Sequence, residues 1–202
     1  MTPLLRLLAA FLLAALASAC APSFPDGPPQ PTERDIVQLT IAINYLGPGI
    51  DPVEAARAAR IAYLYPLQLA ESYQITDAPI VHNRKVNRGL KPRGLCWHWA
   101  TDMEARLAQE NFRTLDLHRA IANADAAFRL EHSTVIVSAK GRGMYDGIVL
   151  DPWRRGGALF WSRTTEDRWY DWKPRAQVLA DKRAARGLDP RLPPAVAATP
   201  SR

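Results

Sequence analysis

Residues 94–107 constrain the fold of this chain more than any other stretch. Turn residues end at Gly94, and from Cys96 onward apolar side chains recur at positions 96, 99, 100, 103 and 107, the spacing of one buried helix face. This pattern predicts a core helix with Cys96 in its first turn. The unpaired N–H groups and positive dipole end of a helix N-terminus favour the thiolate, the nucleophilic form of cysteine. A small apolar residue that fills a helix end would occupy the same position, so both interpretations stay open at this point.

The first 19 residues have the layout of a secretory signal peptide. Arg6 precedes an apolar segment at residues 7–16, and small residues follow at positions 17–19. The apolar segment is too short to span a bilayer as a mature helix. The sequence therefore predicts export of the remaining chain.

Cys20 directly follows this segment. Residues 16–20 resemble the bacterial lipobox, whose cysteine is lipidated and becomes the first mature residue, although Ala17 and Ala19 also suit an ordinary signal peptidase. The lipoprotein interpretation is favoured because residues 20–32 are rich in proline, which is typical of an extended spacer. A multiply acylated cysteine would anchor the protein in the cell envelope, facing the periplasm.

Lipidation of Cys20 changes the interpretation of the second cysteine. The sequence has 2 cysteines, so Cys96 would be the only thiol of the mature protein, in an oxidising compartment and without a disulfide partner. Catalysis and deep burial are the two explanations for such a residue.

Residues 33–175 are predicted to form one α+β domain, and residues 176–202 a basic, Pro-containing and largely disordered tail. Thr32 or Asp35 can cap a first helix, and Asp51 a second that continues to Pro66 and can resume after it. The further predicted segments are a loop at 75–92, the Cys96 helix ending near 109–111, strands at 112–121, 132–138, 147–150 and 158–162, and a short helix at 176–185.

The strands at 132–138 and 147–150 predict a hairpin joined by a short basic turn. His132 opens the first strand and Asp151 closes the second, and in an antiparallel pair these positions lie side by side at one end. Glu131 points to the opposite face, towards solvent. Together with Cys96, the pair forms a candidate triad: the thiolate attacks a carbonyl, the imidazole transfers protons, and the carboxylate orients the imidazole. The backbone N–H of Cys96 is a candidate oxyanion donor.

The chain at this point resembles the transglutaminase-like branch of the papain-like superfamily, which includes bacterial transglutaminase-like cysteine peptidases and arylamine N-acetyltransferases. The motifs that carry the resemblance are GLCW at 94–97, EHSTV at 131–135 and VLDPW at 149–153. The resemblance implies a papain-like fold, with N-terminal helices packed on an antiparallel sheet that carries His132 and Asp151. It also implies a Cys-His-Asp triad and acyl transfer from an amide or ester through a thioester. The family has a further oxyanion donor, for which Asn83, Asn87 or an upstream tyrosine are the candidates here.

The other histidines are assigned supporting roles. His98 lies about 200° round the helix from Cys96 at 3.6 residues per turn, so we expect it to face away from the thiol, at the surface or behind the site. His82 and His118 are expected to be structural, although His82 lies in the basic loop near the predicted cleft. A zinc site formed by Cys96, His98 and His132 would need a fourth ligand and a typical zinc spacing, so neither a metal nor another cofactor is predicted.

A run of tryptophan and arginine follows the hairpin. Such residues stack on sugars or bind an anionic polymer, or they pack a small core with arginine lying over tryptophan, which is the commoner arrangement. The net charge of +6 suits an anionic envelope surface, and a nucleic-acid partner is not predicted for an exported chain without a recognition motif. The residues of this run are Trp153, Arg154, Arg155, Trp161, Arg163, Arg168, Trp169 and Trp172.

Two functions from different classes follow. The first is a monomeric, envelope-anchored cysteine hydrolase or acyltransferase that acts on a peptide or peptidoglycan-type substrate; peptidase, amidase and transglutaminase activities share the attacking group and stay open. The second is a catalytically silent papain-like lipoprotein for binding or scaffolding, with Cys96 buried in the core.

Overall fold

A computed structural model describes residues 27–191 of the chain. The predicted signal peptide, Cys20, the first part of the Pro-rich spacer and the end of the C-terminal tail lie outside these residues. Within residues 27–191, no helix has both the length and the apolar character needed to cross a bilayer.

The described chain is an α+β domain, as predicted. Its helices are α1 (Glu33–Asn44), α2 (Pro52–Ser72), α3 (Pro79–Asn87), α4 (Cys96–Ala108) and α5 (Arg175–Ala184). Its strands are β1 (Leu115–Ala122), β2 (His132–Ala139), β3 (Ile148–Asp151), β4 (Phe160–Arg163) and β5 (Lys173–Pro174).

The first two helices begin where their capping residues predict. The backbone N–H of Asp35 donates to the Thr32 hydroxyl at 3.2 Å, and the backbone N–H of Thr32 donates to the Asp35 carboxylate at 2.8 Å, so both polar side chains serve the cap of α1. Asp51 caps α2 by accepting from the N–H of Val53 at 2.8 Å. Helix α2 continues through Pro66 without ending there.

Residues 79–87 correct the prediction of a loop at 75–92. They form α3, which starts with Pro79 at its first position and has no side-chain cap. Its buried side chains are polar, His82 and Asn83, so it lacks the apolar stripe that identifies a helix in sequence.

The five strands form one antiparallel sheet with the order β4-β3-β2-β1-β5. The predicted hairpin is present as β2 and β3, with Val135 opposite Leu150. Its connection is longer than a tight turn because a 3₁₀ turn, Met144–Asp146, follows the basic residues. Every residue of β2 is buried, since the strand lies at the centre of the sheet with both faces covered.

Helix α4 packs between α2 and the sheet. Met103 and Leu107 of α4 are fully buried in the same apolar cluster as Val135 and Leu150 of the sheet. This packing fixes the N-terminus of α4 at the end of the sheet where β2 begins. Helix α5 packs against β1, and its Val178 is buried.

Candidate active site

Cys96 is the first residue of α4. The thiol is 8% exposed, and its sulfur donates to the backbone carbonyl of Glu131 at 3.7 Å, so it lies against the start of β2. In the described part of the chain, the backbone N–H of Cys96 has no acceptor. It is therefore free to donate to an oxygen that develops charge beside the sulfur.

Of the two positions predicted for His98, at the surface or behind the site, the structure contradicts the first. Its side chain is 7% exposed, and its Nδ1 accepts hydrogen bonds from the backbone N–H of Gly94 at 3.2 Å and of Leu95 at 3.1 Å. The Trp99 indole also donates to the Gly94 carbonyl, at 3.0 Å. Burial, followed by the charge of Arg93, lowers the pKa of His98 to about 4, so the ring is neutral and can accept at neutral pH. His98 thus holds the two residues that precede Cys96.

His132 and Asp151 lie side by side, as the hairpin predicts. The register pairs Val135 with Leu150. Continued by one residue, it sets Asp151 opposite Thr134, and His132 projects to the same face two residues along the strand. The imidazole Nε2 and the carboxylate Oδ2 are 2.6 Å apart, and both side chains are essentially inaccessible to solvent. The other ring nitrogen, Nδ1, is buried and has no hydrogen-bond partner in residues 27–191. It is the atom left to exchange a proton with the nearby thiol.

The electrostatics of the pair favour a charged imidazole. Burial lowers the pKa of His132, but the charge and hydrogen bond of Asp151 outweigh it and, with a contribution from the neighbouring Cys96 sulfur, raise the pKa to about 9. Burial would raise the pKa of Asp151, but His132 and then Arg154 hold it below its usual value. The structure therefore stabilises an ionised carboxylate beside a protonated ring.

A second carboxylate supports Asp151 through Arg154. The Arg154 Nε donates to Asp151 at 3.0 Å, while its two terminal nitrogens donate to Asp167 at 3.1 and 2.7 Å. Asp167 also accepts from the Trp172 indole at 3.0 Å. Asp151 consequently keeps a cationic partner when His132 is neutral.

Three aromatic rings surround His132. Their centroids lie 4.6, 4.7 and 5.4 Å from the imidazole centroid, in Trp153, Tyr170 and Trp172 respectively. They shield the imidazole from water and restrict its rotation. Of the tryptophan and arginine run, Trp153 and Trp172 thus belong to the core, whereas Trp169 is 71% exposed.

Asn83 is the candidate oxyanion donor that bonds directly to one of these aromatic residues. Its Oδ1 accepts from the Trp153 indole at 3.1 Å, which leaves its NH₂ group to donate, and Trp153 packs in one apolar cluster with Cys96. Asn87 is at the exposed end of α3. The upstream Tyr73 donates its hydroxyl to Asp102 instead, at 2.5 Å.

The remaining predicted residues have structural partners. His82 is buried and its Nε2 donates to the Arg93 carbonyl at 2.8 Å, while the His118 ring bonds the Ser138 hydroxyl at 2.8 Å. Glu131 is partly exposed and forms an ion pair with Lys182. Among residues 27–191, no group of three or more His, Cys, Asp or Glu side chains has an arrangement suited to a metal ion.

Two contributors were not identified from the sequence. The sequence places Arg154 only in a run of tryptophan and arginine, and it allows His98 a supporting position behind the site without indicating its partners. A glutamate or glutamine at the third helical position signals a side chain that reaches back to the N-cap, and His98 occupies that position here. In comparisons with family models, curated proteins and solved structures, the chain matches none.

Proposed function

We propose that this protein is an envelope-anchored cysteine hydrolase or acyltransferase of the transglutaminase-like, papain-like type, acting on peptide-type amides. The observation that carries the proposal is the buried His132–Asp151 pair, 2.6 Å apart, whose free Nδ1 lies near the Cys96 thiol. Nδ1 of His132 is buried without a partner among residues 27–191, and unlike Nδ1 of His82 it belongs to a ring whose pKa is raised in part by the Cys96 sulfur.

The reaction begins from the ion pair in which the Cys96 proton is held on Nδ1 of His132. The thiolate attacks the substrate carbonyl carbon, and the tetrahedral oxyanion accepts from the backbone N–H of Cys96 and the Asn83 amide. The C–N bond then breaks as His132 gives its proton to the leaving amine, which leaves a thioester on Cys96. Water or an acceptor amine attacks the thioester, His132 takes its proton, and the C–S bond breaks to restore the thiolate beside protonated His132 and release an acid or a new amide.

The proposed location follows from the N-terminal sequence. Lipidation of Cys20 and the Pro-rich spacer would hold the domain at the periplasmic side of a bacterial membrane, where peptide and peptidoglycan-type amides are the available substrates. The proposed enzyme acts as a monomer without a cofactor.

The alkylation rate of Cys96 by iodoacetamide, measured against pH on mature protein lacking Cys20, tests this proposal. We expect fast alkylation at pH values well below the free-thiol pKa of about 8.5, because protonated His132 stabilises the thiolate. His132→Ala should remove this advantage. His118→Ala, a histidine of β1 bonded to Ser138, is the matched control and should react as the wild type does.

One observation favours the second function, a catalytically silent binding module. The Cys96 thiol is 8% exposed and donates to a backbone carbonyl, as a buried structural cysteine would. Alkylation that occurs only after denaturation, whether or not His132 is present, would reject the enzyme and support the binding module.

A further inference from the structure

A cavity of about 340 Å³ lies beside the His132–Asp151 pair and outside the catalytic groups themselves. Tyr170, which lines it, places its ring 4.7 Å from the His132 ring, and Arg154, which also lines it, bonds Asp151 at 3.0 Å. The cavity therefore shares two walls with the proposed site. Its lining residues are Arg154, Arg155, Phe160, Trp169 and Tyr170.

The two arginines of this cavity differ in their partners. The positive charge of Arg154 is neutralised by ion pairs with Asp151 and Asp167, and its guanidinium lies 3.8 Å from the Phe160 ring centroid. Arg155 is exposed and forms no ion pair within residues 27–191; its guanidinium lies 5.4 Å from the same ring centroid. Arg155 thus contributes an uncompensated positive charge at an aromatic surface.

One of the aromatic walls, Trp169, is largely exposed to solvent. Trp169 is 71% exposed, although its backbone is fixed: its N–H donates to Asp167 at 3.2 Å and its carbonyl accepts from Arg129 at 2.5 Å. A large aromatic side chain on a fixed backbone, exposed beside an unpaired guanidinium, is typical of a recognition surface.

We propose that this cavity is a subsite that binds one carboxylate-bearing residue of the substrate. Arg155 pairs with the carboxylate, and Phe160 and Trp169 cover the apolar part of the residue. The volume is at the lower end of ligand pockets, which suits a single residue and not a longer segment. The inference rests on the proposed function, since it names the substrate class of that site: peptide amides next to an acidic residue.

Binding to this subsite is testable without turnover, in the Cys96→Ser variant of the mature protein. The indole N–H resonance of Trp169, assigned with Trp169→Phe, is followed by NMR during titration with the α-amide of N-acetyl-glutamate, whose one charge is the side-chain carboxylate, and with its neutral isostere, the α-amide of N-acetyl-glutamine. We expect a saturable shift with the glutamate α-amide in the millimolar range and about tenfold weaker binding of the glutamine α-amide, which corresponds to about 1.4 kcal/mol. Arg155→Gln should abolish the preference, whereas Arg163→Gln, an exposed arginine of β4, should retain it.

The subsite is rejected if Trp169 shows no saturable shift or if Arg155→Gln keeps the preference for the glutamate α-amide. These outcomes are independent of the alkylation experiment, because the serine variant has no thiol. Saturable binding in a protein whose Cys96 is inert would support the subsite and reject the proposed enzymatic activity. A reactive Cys96 without binding would reject the subsite alone.

Discussion

At the scale of single residues, the protonation of His132 depends on groups beyond the triad. Asp151 accepts from His132 and from Arg154, and Arg154 is fixed in turn by Asp167. An isolated buried carboxylate would take up a proton to avoid the cost of desolvation. The second cation keeps Asp151 ionised, and the ionised carboxylate keeps the imidazole in one orientation.

The burial of His98 does not follow from its angular position on the helix. The side chain does lie away from the sulfur round the helix, as the spacing indicates, but this side is covered by the chain that leads into α4. Side chains in the first turn of a helix point back towards its N-terminus, so His98 reaches the N–H groups of Gly94 and Leu95. His98 is buried because residues 93–95 pass over it, and the sequence pattern does not predict the course of that backbone.

Gly94 is a residue whose replacement should disturb the thiol. Its φ is +122°, and a Cβ there would lie 2.4 Å from Nε2 of His82, the atom that donates to the Arg93 carbonyl. We expect Gly94→Ala to lower the free energy of unfolding by about 2–4 kcal/mol, from backbone strain plus overpacking, and to slow the alkylation of Cys96. Urea unfolding measures the first effect.

Gly89→Ala is the matched control for Gly94→Ala. Gly89 also has a positive φ, +72°, but a Cβ there meets no atom within 4 Å, so only backbone strain of about 1 kcal/mol is expected. If the two variants lose the same free energy of unfolding, the contact with His82 does not contribute to the effect of Gly94→Ala.

At the scale of elements, the sequence predicts the helices with capping signals and the strands rich in β-branched residues. Asp51 places the start of α2, and the apolar spacing from Cys96 places α4. The β2–β3 hairpin follows from the run 132–138 and the strand before Asp151. These are local signals, which is why one sequence is sufficient for them.

Helix α3 was missed because its stability is not local. It has no side-chain cap, and it is held by polar contacts made far along the chain, of which the bond between Asn83 and Trp153 is the clearest. These two residues are 70 positions apart. Periodicity within a short window contains no information about such a partner.

The position of α3 yields a prediction for Asn83. If its amide stabilises the oxyanion, Asn83→Ala should slow acyl transfer from p-nitrophenyl acetate by about 10²–10³-fold. The alkylation of Cys96 should be unchanged, because displacement of iodide forms no oxyanion. Asn87→Ala, at the exposed end of the same helix, should affect neither rate. A parallel loss of both rates in Asn83→Ala would indicate that the residue only supports the packing of Trp153.

At the scale of the whole molecule, the candidate site lies where two layers meet. The α4 N-terminus provides the thiol and its free N–H, and the end of the central strand provides His132, with the Glu131 carbonyl in contact with the sulfur. The motif order in the sequence is sufficient to bring together Cys96, His132 and Asp151 as candidates. It is insufficient for the aromatic cover, Arg154 and the adjoining cavity, because these depend on how the chain after Asp151 folds back over the sheet.

Two buried histidines give the stability of the whole domain opposite dependences on pH. The pKa of His132 is raised to about 9, so its contribution is fully present below the unfolded value of about 6.5 and is lost as the pH rises through 9. The pKa of His98 is lowered to about 4, so its contribution is present above about 6.5 and is lost as the pH falls through 4. We expect maximal stability near pH 6.5 in urea unfolding curves.

Two variants test these contributions separately. The free energy of unfolding of His98→Gln, which keeps an acceptor for the N–H of Leu95, should rise relative to that of the wild type as the pH falls below about 6. That of His132→Gln should rise relative to the wild type as the pH increases above about 7. Differences from the wild type that stay constant with pH would show that neither ring changes its proton affinity on folding.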